Sequence, residues 1–310
     1  MNITNKTVLI TGANRGIGRA LLEEALRRGA RKVYAGTRSV LQHSDKRVTP
    51  LTLDVTSASQ IQQAVKEVDT LDVLINNAGI AIYDDLGNLE VLEQTLAVNF
   101  LGLLRVTNAF LPLLKRSKGA VLNNLSLAGL APLPIIPSYS TSKAAALNLT
   151  QSLRALLASQ GVTVHAVVIG PVDTDMNRGF DVPKVSTESA AAGIFDGLEK
   201  GEEEIFPDPA SQSIAEGWRA GVSKALERQF AAFAPKDAAS ARNTTRRDYR
   251  EIPNPKKLCA RQSKTRGVSG QILCSGSGCH GQDQPVPRQI NSIIRSSTVT
   301  TVGTNYPGSR

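Results

Sequence analysis

Thr7-Val8-Leu9-Ile10-Thr11-Gly12-Ala13-Asn14-Arg15-Gly16-Ile17-Gly18 is the stretch from which the fold is read. Residues 7–10 are apolar or β-branched and read as a strand, and a helical pattern over 18–28 follows the glycines. Gly12 permits a tight turn, Gly16 lets the backbone come close to an anion, and Gly18 lets helix and strand pack. A helix N-terminus offers unpaired N–H groups and the positive end of the dipole. Gly12, Asn14, Arg15, Gly16, Ile17 and Gly18 are therefore expected to cradle a pyrophosphate. The spacing is G-x3-G-x-G, not the general G-x-G-x-x-G, so an ordinary strand-to-helix turn stays open until the rest of the chain is read.

Outward from this stretch the pattern alternates. Strands are expected at 32–36, 48–53, 73–76, 120–125 and 162–169, with a weaker one at 204–206. Helices are expected at 57–68, 89–114 and 140–159. Regular alternation implies an α/β fold with a parallel sheet covered on both faces, and ligands bind beyond the carboxyl ends of its strands. The second strand ends in Thr37-Arg38. An NAD binder places an acid here for the ribose 2′-hydroxyl, whereas Arg38 and Arg15 suit a 2′-phosphate, so NADP(H) is expected over NAD(H). Asp54-Val55 after the third strand and Asn77-Ala78-Gly79 after the fourth extend the groove toward adenine and ribose.

Tyr139-Ser140-Thr141-Ser142-Lys143 opens the last long helix, with Tyr139 and Lys143 four apart on one face. Bringing a tyrosine from pKa ~10 to about 7 takes roughly 4 kcal/mol. A positive charge about 4 Å away, at an effective dielectric constant of ~20, supplies about that much. Y-x-x-x-K alone is a common pattern, and its neighbours decide its meaning. Ser126 stands 13 residues earlier at a strand end, where its hydroxyl suits a substrate carbonyl. Asn99 is an amide inside a helical pattern, suited to a water that links Lys143 to solvent. Pro171-Val172-Asp173-Thr174 forms a rigid turn after the sixth strand, with Pro171, Val172 and Thr174 placed for a nicotinamide amide.

As a set, Thr11–Gly18, Asn76-Asn77-Ala78-Gly79, Asn99, Ser126, Tyr139–Lys143 and Pro171–Asp175 resemble the short-chain dehydrogenase/reductase (SDR) family, in order and at family spacing. The resemblance covers roughly residues 5–235. It implies a Rossmann-type, doubly wound parallel sheet of three layers in a single domain. It also implies an Asn99–Ser126–Tyr139–Lys143 tetrad. Tyr139 is then the acid or base, and Ser126 the carbonyl anchor. Lys143 holds the nicotinamide ribose and lowers the tyrosine pKa, and Asn99 holds the relay water. One departure is local: Leu125 and Leu127 flank Ser126, where the family often has two adjacent serines. The implied assembly is a homodimer or homotetramer.

Charge divides the chain. Residues 241–310 hold 12 of the 36 Lys and Arg against 3 of the 27 Asp and Glu, which accounts for the net +9. The 24 of each sign in residues 1–240 cancel. The expected organisation is a catalytic domain over 1–235 and a basic, low-complexity, disordered tail over 236–310, with a short strand near 289–294. Cys259, Cys274, Cys279 and His280 match no standard zinc spacing, so no metal is expected. No apolar run reaches the roughly 18 residues of a membrane span. With no secretory h-region at the N-terminus, a cytoplasmic protein is expected. Apolar segments at 129–137 and 80–83, and a lid over 175–190, suit a neutral, fairly hydrophobic carbonyl or alcohol. The alternative is an NADP-sensing protein whose basic tail meets nucleic acid or acidic partners. A sensor has no need of the tyrosine, lysine and serine, so nucleic acid is not the expected partner.

Overall fold

A computed structural model describes residues 1–39 and 41–234. The expected tail with its strand near 289–294, and the cysteine set, lie outside the described residues. Seven parallel strands form one sheet: β1 (Thr7–Thr11), β2 (Lys32–Thr37), β3 (Val48–Thr52), β4 (Val73–Asn76), β5 (Ala120–Asn124), β6 (Thr163–Val167) and β7 (Glu204–Ile205). Their order is β3-β2-β1-β4-β5-β6-β7, with Val8 opposite Val33 on one side and Val73 on the other. The order reverses beside β1, the switch point where doubly wound sheets bind ligands. Among the described residues β3 pairs only with β2, and so tolerates Pro50.

The sheet is apolar on both faces because successive residues of each strand feed different cores. Val8, Ile10, Val33 and Ala35 pack with Leu21, Leu22 and Ala25 of α1 (Gly16–Arg27), and with Ile194, Phe195 and Leu198 further along the chain. Leu9, Tyr34, Leu74 and Val121 turn to the other face, against Val106, Phe110, Leu114, Leu153 and Leu157. A period of two on a sheet covered on both faces produces this split.

α2 spans Ala58–Glu67, and the expected 89–114 helix is divided. α3 (Leu89–Leu96) runs into a π-helical turn, Ala97–Gly102, before α4 (Leu103–Ser117). The whole Leu89–Ser117 stretch has a mean hydropathy of 1.5 over its most apolar window, long and apolar enough to cross a membrane. That corrects the expectation drawn from consecutive apolar residues: the polar residues are few and scattered. Val106, Phe110 and Leu114 are spent on the sheet.

α5 is Pro137–Ala158. Three further helices carry no counterpart in the sequence reading: α6 (Thr187–Lys200), α7 (Pro209–Ala220) and α8 (Val222–Phe230). The stretch expected as a lid is more ordered than that. It makes a short 3-10 turn at Asp175–Asn177 and a bridge between Val172 and Val185, and it enters α6 at Thr187.

Candidate active site

The loops following β1 to β6 line one cleft of about 1170 Å³. At its phosphate end, α1 begins at Gly16 with no side-chain hydrogen bond from its cap residue, Arg15, and no acid in its first turn. α2, α3, α6 and α7 are instead capped by Ser57, Asn88, Ser186 and Asp208. The N–H groups of α1 are thus left for a ligand. Gly12 and Gly16 have φ of +68° and +52°, which favour glycine. A Cβ on Gly18 would lie 2.1 Å from the Gly12 carbonyl oxygen. The turn is held from below: Thr11 Oγ1 accepts from the N–H groups of Asn77 and Ala78, both at 3.0 Å, and Asn77 Nδ2 donates to the Thr11 carbonyl at 3.0 Å. Uncapped helix, glycine bend and cationic rim fit a dinucleotide phosphate chain.

Arg38, Asp54 and Val55 line the far end of the same cleft. Thr37 is buried and its hydroxyl donates to the Ser39 carbonyl, so no acid stands at the end of β2. Arg15 and Arg38 both line this cleft. Arg15 pairs with Asp175 across the mouth at 3.2 Å, leaving Arg38 to face Asp54. Thr56 donates to the Asp54 carboxylate, which sits below its ordinary pKa chiefly through that bond, with Arg38 adding to it.

At the other end, Ser126, Tyr139 and Lys143 line the cleft. Lys143 Nζ donates to the Asn124 carbonyl at 2.7 Å and lies 5.5 Å from the centroid of the Tyr139 ring. Burial pushes Tyr139 up to about 12, opposed by a hydrogen bond with Ser126, and pushes Lys143 down to about 8. Burial, not the lysine, is the largest influence on the phenol here. Between about 8 and 12 the buried pair is neutral, because each charged form loses its hydration.

Asn99 does not line the cleft; it is buried behind it. Its Oδ1 accepts from the Ile80 N–H at 2.9 Å, and its Nδ2 donates to the Ile80 carbonyl at 2.8 Å and to Ser142 Oγ at 2.9 Å. It sits in the π-helical turn, where the Leu103 N–H donates to Phe100. π-turns recur at functional sites. Pro171, Val172 and Thr174 complete the wall beside Ile17 and Asn14.

Two partners escaped the sequence reading. Asn124 supplies the carbonyl that holds Lys143, and its Nδ2 donates to Asn77 Oδ1 at 2.9 Å, tying the lysine to the floor of the glycine turn. Ile80 is gripped through its backbone. A backbone acceptor leaves no mark in residue identity. A second amide at the end of β5, beside Asn123, is the one signal available.

A family profile described as short chain dehydrogenase matches residues 6–183, which include every site residue named above. The chain belongs to the short-chain dehydrogenase family. This dehydrogenase is 32% identical over 197 residues to estradiol 17-beta-dehydrogenase 2 of Mus musculus, a match covering 58% of the chain and 51% of that protein. The chain thus spans about half the length of that relative. It is 30% identical over 193 residues to a 3-oxoacyl-acyl-carrier-protein reductase of Vibrio harveyi, covering 58% of the chain and 79% of the reductase. A solved short chain dehydrogenase from Burkholderia cenocepacia, in complex with NADP, superposes with a TM-score of 0.68 at 38% identity, over 74% of this chain and 98% of that one. The matching family model is that of short chain dehydrogenases, and the solved Burkholderia relative holds NADP.

Proposed function

We propose that this dehydrogenase interconverts a carbonyl and an alcohol on a neutral, fairly hydrophobic small molecule, using NADP(H) and with Tyr139 as general acid and base. The observation that carries the reading is one cleft holding both the uncapped glycine turn and, at its other end, Tyr139 with Ser126 and Lys143. When bound, the dinucleotide supplies or accepts the hydride. Gly12, Asn14, Arg15, Gly16, Ile17 and Gly18 would hold its phosphates, Arg38 its 2′-phosphate, and Asp54 and Val55 its adenine. Asn77, Ala78, Gly79, Pro171, Val172 and Thr174 would hold its nicotinamide half.

The residues of the chain do the rest. Ser126 Oγ donates to the substrate oxygen and stabilises the charge that develops on it. Tyr139 gives its phenolic proton to that oxygen on reduction and takes the proton back on oxidation. Lys143, protonated below about 8, favours the phenolate left behind and lies beside Asn124, where a ribose hydroxyl would meet it. Asn99 would hold the water that returns the proton from solvent through Lys143.

Ile80, Ala81, Tyr83, Leu133, Ile136 and Phe180 line the mouth, and none carries a charge. That supports a neutral, apolar substrate. Estradiol, in the mouse relative's name, is a molecule of that kind. The Vibrio reductase's name points instead to an oxoacyl chain on a carrier protein. A homodimer or homotetramer in the cytoplasm belongs to the same reading, as does a catalytic domain ending near residue 235.

A panel assay tests the proposal: NADPH and NADH oxidation against neutral ketones and aldehydes, with charged keto acids alongside. Turnover of neutral carbonyls with a lower KM for NADPH is expected. Turnover confined to anions would sink the substrate class, and a clear NADH preference the cofactor assignment. NADPH binding with no turnover anywhere would return the sensing alternative.

A further inference from the structure

Between β4 and α3, residues 77–88 follow the mouth of the cleft without regular secondary structure, and Ile80, Ala81 and Tyr83 line it. A segment of this kind stays where its bonds to its surroundings put it. Thr11 holds its first residues, Asn77 and Ala78, and its last, Asn88, caps α3. Between these ends, two sets of bonds fix it to other elements, and both lead to the start of α5. At the inner point, Asn99 grips the Ile80 backbone and continues to Ser142. At the outer point, Asp84 accepts from the Ser138 hydroxyl through Oδ2 and from the Ser138 N–H, at 3.4 Å, through Oδ1. Ser138 and Ser142 are both wholly buried and stand one helical turn apart, with Tyr139 between them. α5 has no cap of its own: Ile136 makes no side-chain bond, and the first turn holds no acid. Asp84, brought from another loop, is the carboxylate that meets this uncapped helix end, where both the free N–H and the dipole favour it.

We propose that Asp84 is a positioning residue that locks the substrate-side wall to the helix carrying Tyr139. Asp84 itself lies outside the cleft lining. It acts through Ser138, so that the wall made by Ile80 and Tyr83 and the phenol of Tyr139 keep one mutual geometry. This rests on the reading of Tyr139 as the proton-transfer group.

The test uses the full chain with Asp84→Ala, Asp84→Asn, Ser138→Ala and the Asp84→Ala/Ser138→Ala double variant. NADPH and the neutral bicyclic ketone 2-decalone serve as probes, and hydrogen–deuterium exchange is read over 79–88. Asp84→Ala should lower kcat/KM about tenfold, mainly through KM, with the NADPH Kd within twofold of wild type and exchange over 79–88 accelerated. Asp84→Asn, whose amide oxygen still accepts from Ser138, should recover most of the loss. The double variant should be no worse than Asp84→Ala, because both changes break one link. Unchanged KM and exchange in Asp84→Ala would overturn the proposal, as would additive single effects or an Asp84→Asn as impaired as the alanine. If Asp84→Ala does not fold, Ser138→Ala and Asp84→Asn decide by the same measures. If the wild type turns over no ketone, the Tyr139 reading fails by itself. Exchange over 79–88 then decides the clamp: acceleration in Ser138→Ala supports it, and no change overturns it.

Discussion

Tyr139 and Lys143 are buried side by side in a site that charges neither of them readily. The buried phenol is held up to about 12 and the ammonium down to about 8, so at neutral pH the pair is a phenol beside a protonated lysine. That state suits proton donation to a carbonyl oxygen. Tyr139→Phe removes the donor and leaves the ring, so kcat should fall by about 10²- to 10⁴-fold. The NADPH Kd, measured by fluorescence titration, should stay within twofold. Loss of binding together with activity would show that the phenol serves the fold instead. Lys143 carries a stability signature with a definite sign. Its folded pKa, about 8, lies below the ordinary 10.5, so the unfolded chain holds the extra proton between those values. Stability from this group is present at high pH and is lost as pH falls through about 8. Lys143→Met removes the linkage. Relative to wild type, it should gain roughly 2 to 3 kcal/mol on going from pH 10 to pH 7, read from urea melts. A gain that is flat with pH would mean that the ammonium is not desolvated.

At the scale of elements, the glycine turn and α1 show how directly sequence encodes a site when the backbone is the binding group. Gly12, Gly16 and Gly18 stand where positive φ or a close carbonyl leaves no room for a Cβ, and residue identity records that. Gly18→Ala should push α1 off β1, since its Cβ would fall 2.1 Å from the Gly12 carbonyl. The expected result is a loss of NADPH affinity of tenfold or more, with a lowered Tm; unaltered affinity would separate the turn from the cofactor. The π-turn was not legible in the same way. The helical pattern over 89–114 runs on without a break, and one extra residue in a helical turn leaves composition unchanged. Asn99 was legible as an anomaly, a polar amide among Ala, Val and Phe, but its grip on Ile80 was not, because that bond is to backbone. The short strand β7 falls within the weaker strand expected at 204–206, whereas helices α6 to α8 lie past the motif-rich region. Their signals are caps such as Ser186 and Asp208, common turn residues with no distinctive spacing.

At the scale of the molecule, alternation of strand and helix was enough to give a parallel sheet, and the switch point beside β1 then places the cleft. What alternation does not contain is which loops lean together, as those that bring Arg15 to Asp175 do. Charge gives the remaining division. The excess of +9 falls entirely within residues 241–310, while the 24 cations and 24 anions of residues 1–240 cancel. Among the described residues, the buried core runs from Ile3 to Lys224, and the cleft lining ends at Phe180. Lys224 is itself locked in that core, against Glu203, Glu204 and Glu227. A chain ending at Ala234 therefore retains every described core and cleft residue. It should keep kcat/KM and the NADPH Kd within about twofold and its Tm within a few degrees of the full chain, read by thermal melts at matched salt. The comparison is to be made at 50 mM and 300 mM salt. A surplus of twelve cations over three anions attracts anionic cofactors at a distance, and such attraction is screened as ionic strength rises. If residues 235–310 aid catalysis only by their field, the two chains will differ at low salt and converge at high salt. A tenfold loss of kcat/KM that persists at high salt would show instead that the catalytic unit extends past residue 235.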